Sequence, residues 1–242
     1  MTLQANTFSI VASCQKSGQL GIAISTALPG VGGLCPFICP NVGAVSTQSW
    51  VNPYLAIDII ECLKNGNSAN EALEQVIDAD EERDLRQLGI VDASGNAASW
   101  TGNKCTSWAG QISKPGVAIQ GNMLKSEATL EAMQIAFDNT NGDLSERLLS
   151  ALEAGQEAGG DKRGKQSAAL KVFGVEEYPL VDLRSDEHRE PIKELRRIVA
   201  ISNIQLAPFI SGMPSRNKKR VLDEAVKSML LLPPNKRYII KF

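Results

Sequence analysis

Apolar and polar residues alternate along several short stretches of this chain, and such alternation is typical of half-buried β-strands. Residues 7–13 and 19–26, separated by the turn Lys16-Ser17-Gly18, predict an opening hairpin. A second hairpin is predicted around Ser94-Gly95. The strands predicted after the opening hairpin cover residues 43–48, 85–92, 97–101, 116–121, 166–173 and 180–183.

Helical patterns with marked ends lie between these strands. Asn52 and Pro53 predict the start of a helix that ends before Gly66, because Pro is favoured at the first helical position. Ser68 and Glu71 have the spacing of a capping box, which predicts a second helix. Further helices are predicted at 126–139, at 143–156 with an Asp143/Glu146 capping pair, and from Pro191 onward. Strands and helices that come in separate runs predict an α+β fold with mostly antiparallel sheets.

Composition narrows the class of protein. The 242 residues, 43% apolar and 21% charged, suit one large domain or one domain with an appendage. The longest apolar stretch, residues 28–39, is too short and too broken by Gly and Pro for a membrane helix, so no membrane partner is expected. We expect no secretory signal, and an odd number of cysteines, five, favours a reducing, cytoplasmic compartment over a disulfide framework.

The balance of charge changes near residue 202. Residues 1–202 carry 17 basic and 25 acidic side chains, whereas residues 203–242 carry 8 basic and 2 acidic ones. We therefore predict a domain at 1–202 and a basic appendage at 203–242. Its cluster comprises Arg216, Lys218, Lys219 and Arg220. One short cluster is less than nucleic acid usually needs, so binding of nucleic acid is not expected. A solvated face is favoured, or an arm on an acidic surface of the same or a neighbouring subunit of a homo-oligomer.

The chemistry of the chain is restricted by its single histidine, His188. Two-histidine zinc motifs are excluded, and the C-x3-C spacing of Cys35 and Cys39 has no second pair to complete a metal site. The sequence also lacks a G-x-S-x-G elbow and the glycine-rich phosphate loops. We expect no metal and no cofactor. His188 stands among carboxylates just before a predicted helix, where a solvated, non-catalytic residue is favoured.

A glycine-flanked loop at residues 159–167 gathers polar side chains that could bind a ligand. Arg163 offers a planar fork for a carboxylate or an amide oxygen, and Asp161 and Ser167 lie close to it in sequence. The alternative is turn chemistry, in which Asp161 caps the loop and pairs with Arg163.

Other candidates stand at the ends of predicted strands. Asn122 follows Gly121 and could donate to an oxyanion, while Thr47 and Gln48 end another strand. If the sheets pack face to face, these ends converge with the loop on one cleft for a small molecule or an amide-containing ligand. An ordinary turn role is the alternative for Asn122.

Eight segments in a consistent order look familiar: residues 7–12, 43–48, 86–92, 101–102, 120–122, 152–156, 159–170 and 181–184. Together they resemble an uncharacterised prokaryotic family, a domain of unknown function within the N-terminal-nucleophile (Ntn) hydrolase-like superfamily. The resemblance covers about residues 6–200 and leaves the basic appendage outside. It implies a four-layer α-β-β-α sandwich.

The resemblance also implies a conditional mechanism. Ntn hydrolases attack an amide carbonyl with the Thr, Ser or Cys that opens the mature chain, and its free α-amine serves as the base. Thr7 matches that position, but six residues precede it, so the route requires their removal. Proteasome-type members use a later lysine, yet no lysine or arginine lies between Lys16 and Lys64. The alternatives are that Thr7 is an ordinary strand residue and the protein a non-catalytic ligand-binding or assembly protein on the same scaffold.

Overall fold

The computed structural model describes residues 4–5, 7–219 and 221–239. It is a mixed α+β structure in which the strands form two sheets with antiparallel pairing throughout, which confirms the predicted class. Sheet I contains β1 (Gln4–Ala5), β4 (Pro36–Cys39), β5 (Gly43–Trp50), β6 (Arg86–Asp92) and β7 (Ala97–Thr101), with β1, β4 and β6 all paired to β5. Sheet II has the order β11 (Pro179–Ser185), β10 (Ser167–Phe173), β3 (Gln19–Thr26), β2 (Thr7–Cys14), β9 (Val117–Gly121), β8 (Gly110–Lys114).

Helices follow the strands, and three of them begin at the predicted caps Asn52, Ser68 and Asp143. They are α1 (Pro53–Lys64), α2 (Ala69–Ala79), α3 (Ala128–Asn139), α4 (Leu144–Glu157) and α5 (Pro191–Gln205). Asn52 Oδ1 accepts from the Tyr54 amide at 3.1 Å, and Ser68 and Glu71 form the complete capping box. The helical starts are therefore set locally, by side chains that satisfy the first free amides. Across the described residues, no helix has the length and apolarity needed to cross a bilayer.

Apolar contacts join helices to sheets and the sheets to each other. One cluster packs α1 and α2 on sheet I, with Ile59 and Val76 against Leu88. A second lies between the sheets, where Val11 and Ile22 of sheet II meet residues of sheet I. On sheet II, α4 contacts β2, β3 and β10, and α3 contacts α4 and β9. The two sheets therefore share a buried interior, and polar groups placed there must find partners inside the protein.

The contacts divide the chain into two compact units, Met1–Leu195 and Arg196–Phe242. The second contains α6 (Ala207–Ser211), α7 (Glu224–Leu231) and a 3-10 turn at Pro234–Ile239. The predicted boundary at residue 202 falls within α5 and stays a prediction. In the basic cluster, Arg220 lies outside the described residues.

Candidate functional site

A chain of buried amide and hydroxyl groups connects the two sheets. Gln48 on β5 accepts from Ser9 Oγ at 2.6 Å through Oε1, and its Nε2 donates to Gln87 Oε1 at 2.8 Å. Gln120 on β9 donates to Ser9 Oγ at 2.5 Å. All four side chains are fully buried, so these hydrogen bonds replace bonds to water. Gln120 Oε1 is buried without a hydrogen-bond partner among the described residues. We call Ser9, Gln48, Gln87 and Gln120 the amide network.

Gln87 connects the amide network to the end of β9 and to β7. Its Oε1 also accepts from Asn122 Nδ2 at 2.8 Å. Its Nε2 donates to the carbonyl of Gly121 at 2.8 Å and to Thr101 Oγ1 at 3.0 Å. Gln87 therefore fixes the end of β9 against sheet I.

Thr7 lies at the edge of this network, as the first residue of β2, and is fully buried. Its Oγ1 lies 3.3 Å from Thr26 Oγ1 on the paired strand β3. Its carbonyl oxygen accepts from Gln48 Nε2 at 3.2 Å and from the Asn122 amide at 3.0 Å. Contacts from both sheets therefore hold Thr7 in place.

The glycine-rich loop between α4 and β10 brings Asp161 to the same end of sheet II. Asp161 Oδ2 accepts from the amide of Ala27, the residue that follows β3, at 3.3 Å. A β-bridge between Leu124 and Asp161 joins the loop to the segment after β9. Gly159 and Gly160 have φ values of 130° and 56°, a backbone region that glycine adopts without strain. The sequence thus shapes the loop so that Asp161, Asn122 and Thr7 come from neighbouring segments.

Arg163 pairs with Asp161 inside this loop. Arg163 Nη2 lies 2.8 Å from Oδ2 of Asp161, and both Nε and the backbone amide donate to Oδ1, at 3.2 and 2.8 Å. Asp161 is only 2% exposed, whereas the side chain of Arg163 is about one-third exposed, at 32%. The guanidinium therefore meets a buried carboxylate on one side and solvent on the other. Binding of a ligand by Arg163 stays a prediction, and so does a cleft that Arg163 shares with Asn122.

Two predicted binding residues use their hydroxyls to join chain segments. Thr47 Oγ1 donates to the carbonyl of Asn52, where α1 begins, at 3.2 Å. Ser167 Oγ donates to the carbonyl of Leu28 at 2.5 Å and accepts from the amide of Val31 at 3.2 Å. These bonds position loops around the Thr7 end of the sheets. A direct role in binding stays a prediction for both.

The histidine and the cysteines lie outside this arrangement. His188 is exposed, and its Nδ1 accepts from the amide of Glu190 at 3.0 Å. All five cysteines are free thiols, and burial raises the pKa of Cys35 to about 12. Within residues 4–5, 7–219 and 221–239, no three His, Cys, Asp or Glu side chains are grouped to hold a metal ion.

Sequence reasoning missed four residues of this region as site residues: Ser9, Thr26, Gln87 and Gln120. Each is a polar residue within a strand, and each is buried. A polar side chain flanked by apolar ones in a strand is the signal that could have identified Ser9, because a buried polar group needs a partner. The other three have a polar residue or a glycine as a neighbour, so the sequence around them carries no such signal.

Comparison with known proteins identifies the family. The model of DUF1028, a family of unknown function, matches residues 7–195. The chain is similar to a crystal structure of a DUF1028 protein from Silicibacter pomeroyi, with 31% identity, 90% of this chain and 96% of that chain covered, and a TM-score of 0.83. A likeness to Anbu, an ancestral β-subunit from Yersinia bercovieri, has 13% identity, coverage of 86% and 98%, and a TM-score of 0.40, too weak to inform fold or function. No curated protein matches. The chain therefore belongs to the family of unknown function DUF1028.

Proposed function

We propose that this protein hydrolyses amide bonds, with Thr7 as the N-terminal nucleophile once residues 1–6 are removed. The fold proposed with it is the four-layer α-β-β-α sandwich of Ntn hydrolases. The packing of α1 and α2 on sheet I, of the sheets on each other and of α3 and α4 toward sheet II supports that layering. The family match that begins at Thr7 is also consistent with this residue opening the working domain.

The observation that carries the proposal is the set of groups around Thr7. The residue heads a central strand, its hydroxyl meets that of Thr26, and its carbonyl is held by donors from Gln48 and Asn122. The buried carboxylate of Asp161 lies against the end of the paired strand. A nucleophile needs this kind of positioning, because a small displacement lowers the rate strongly.

Removal of residues 1–6 turns the Thr7 nitrogen into an α-amine, which titrates at about pH 8 and is partly unprotonated near neutral pH. The amine takes the proton of Thr7 Oγ1 while that oxygen attacks the carbonyl carbon of the substrate. The C–N bond then breaks, the leaving nitrogen receives the proton, and an ester remains on Thr7. Water, deprotonated by the same amine, cleaves the ester and restores the hydroxyl.

The neighbouring side chains take supporting roles in this scheme. Asn122, which uses its side-chain amide toward Gln87, donates to the developing oxyanion. Asp161 stabilises the protonated α-amine, and Arg163 holds an anionic or amide group of the substrate through its solvent-facing side.

The alternative function is non-catalytic binding of a small ligand on the same scaffold. The observation in its favour is that Thr7 is fully buried and already hydrogen-bonded in the chain with its N-terminal strand β1 in place. In that case the polar groups around Thr7 stabilise the fold and take no part in catalysis.

The proposal is tested with a chain that starts Met-Thr7, from which methionine aminopeptidase removes the methionine. Release of nitroaniline from a panel of acyl nitroanilides is measured for this chain, for the full chain and for Thr7→Val in the shortened form. Thr7→Val keeps the branched shape and loses the nucleophile, so activity falls by about 10³-fold or more. Equal rates for the shortened chain and its Thr7→Val variant, both folded by circular dichroism, overturn the proposal.

A further inference from the structure

The outer surface of α1 and α2 is strongly acidic. Residues 53–79, which include both helices, carry five acidic side chains and one basic one. The following segment, residues 80–86, adds four acidic and two basic side chains, of which Arg86 is buried in ion pairs with Asp80 and Glu82. Among the described residues, Asp58 and Glu74 have no basic partner within ion-pair distance, and both are exposed. This surface therefore presents uncompensated negative charge to any neighbour.

A groove of about 420 Å³ runs between α1 and α2 on this surface. Asp58, Gln75 and Asp80 line it together with Tyr54, which is 71% exposed. Ile57, beside Tyr54 on α1, is 43% exposed. Large apolar side chains that remain exposed on the rim of a charged groove are typical of a docking surface, where they serve as anchors.

The thiol of Cys62, which lines the same groove, is affected by the negative charge there. Burial raises the pKa of its thiol, and the carboxylates of Asp58 and Glu61 raise it further. A cationic partner is the chemistry that this groove would accept.

The second compact unit of the chain has the complementary character. Arg196–Phe242 carries ten basic and two acidic side chains, whereas residues 1–195 carry 15 basic and 25 acidic ones. Lys218 and Lys219 are exposed at a tight turn closed by a bridge from Ser215 to Lys218. Val221 and Leu231 are exposed by 83% and 87%, so the unit offers apolar anchors next to its charge.

We propose that the basic unit of one copy of this protein docks in the α1–α2 groove of a second copy. The two surfaces match in charge, and Tyr54 on one side and Val221 on the other remain exposed in the single chain. Charge complementarity steers the encounter, and the exposed apolar side chains supply the buried contact. The contact is independent of Thr7 and of amide hydrolysis.

A charge-swap pair tests the docking in the full chain. Lys218→Glu with Lys219→Glu reverses the basic turn. Asp58→Lys in the groove, with Glu74→Lys next to Gln75 of its lining, reverses the charge of the acidic surface. Sedimentation velocity measures self-association of the wild type, of each variant and of an equimolar mixture. We expect the wild type to self-associate in a salt-sensitive manner and each variant to weaken association by about tenfold or more.

The mixture of the two variants shows whether a second copy of the chain occupies the groove. If the docking joins two copies, both contacts in the mixed pair unite opposite charges, and association returns. A mixture that stays monomeric overturns the proposal. A wild type that is monomeric, or variants that associate like the wild type, also overturn it. The proposal is also overturned if Lys218→Glu with Lys219→Glu abolishes binding of a DNA duplex while self-association persists.

Discussion

The side-chain amide of Gln48 donates a hydrogen bond to the main-chain carbonyl of Thr7 at 3.2 Å. Gln48 belongs to sheet I and Thr7 to sheet II, so the bond joins the two sheets at the proposed nucleophile. The same amide nitrogen also reaches Gln87, which in turn holds Asn122. The position of Thr7 therefore depends on the amide network as well as on its own strand.

Replacing Gln87 in the amide network should destabilise the fold. Gln87→Leu removes the acceptor of the side-chain amides of Gln48 and Asn122 and the donor to the carbonyl of Gly121. We expect the free energy of unfolding to fall by about 2–4 kcal/mol in urea titrations. The control is Gln111→Leu on exposed β8, which should cost less than about 1 kcal/mol. An equal fall in the free energy of unfolding for both variants would contradict the claim that burial makes the Gln87 hydrogen bonds more costly to lose.

Gly89 faces Gln120, and the absence of a side chain there makes room for the amide. A Cβ atom at position 89 would lie 1.9 Å from Gln120 Oε1. We expect Gly89→Ala to lower the free energy of unfolding by about 2 kcal/mol, because the buried amide has to move. Gly33→Ala is the matched control, since an added Cβ there meets no atom within 4 Å. A thermal melt that shifts equally for both variants would refute this assignment.

The thiol groups should differ in reactivity. A hydrogen bond from Ser17, with help from the charge of Arg147, lowers the pKa of Cys14, whereas burial raises the pKa of Cys35 to about 12. Near neutral pH, peptide mapping after iodoacetamide treatment should find Cys14 alkylated early and Cys35 only on unfolding. Ser17→Ala should slow alkylation of Cys14 and leave Cys62 unchanged. Alkylation of Cys35 before Cys14 would be inconsistent with this order.

The capping box of α2 should contribute a pH-dependent part of stability. Hydrogen bonds from the backbone and side chain of Ser68 hold the pKa of Glu71 below its ordinary value of 4.5. The contribution is therefore fully present above that value and is lost as the pH falls through the lowered pKa. Glu71→Gln should show a smaller fall in urea midpoint between neutral and acid pH than the wild type. Glu74→Gln is the control. If the urea midpoint falls equally with pH in the wild type and in Glu71→Gln, the capping box makes no pH-dependent contribution to stability.

Local signals predicted most of the elements. The caps at Asn52 and Ser68 occur as predicted, because they depend only on neighbouring residues. Strands β4 and β8 were missed, since β4 is short and starts with Pro36, and the half-exposed β8 lacks a clear alternation. The sequence also does not predict the helices α6 and α7, because four prolines interrupt the segment that contains them.

The candidate site was harder to predict than the elements. The pairing of Asp161 with Arg163 follows from their spacing of two residues, and it was one of the two alternatives. Gln48 and Gln87 are opposite residues on the paired strands β5 and β6 of sheet I, although they are far apart in sequence. Such contacts depend on which strands pair and in what register, which residue periodicity in one strand does not specify.

The central claim is that a free N-terminal Thr7 is the nucleophile, and covalent labelling tests it most directly. A β-lactone probe transfers its acyl group to an activated hydroxyl, so intact-mass spectrometry of the chain that starts at Thr7 should show one added probe, mapped to the N-terminal peptide. The full chain and the shortened Thr7→Val variant should remain unlabelled. Labelling of all three to the same extent, or no label on the folded chain that starts at Thr7, would contradict the account.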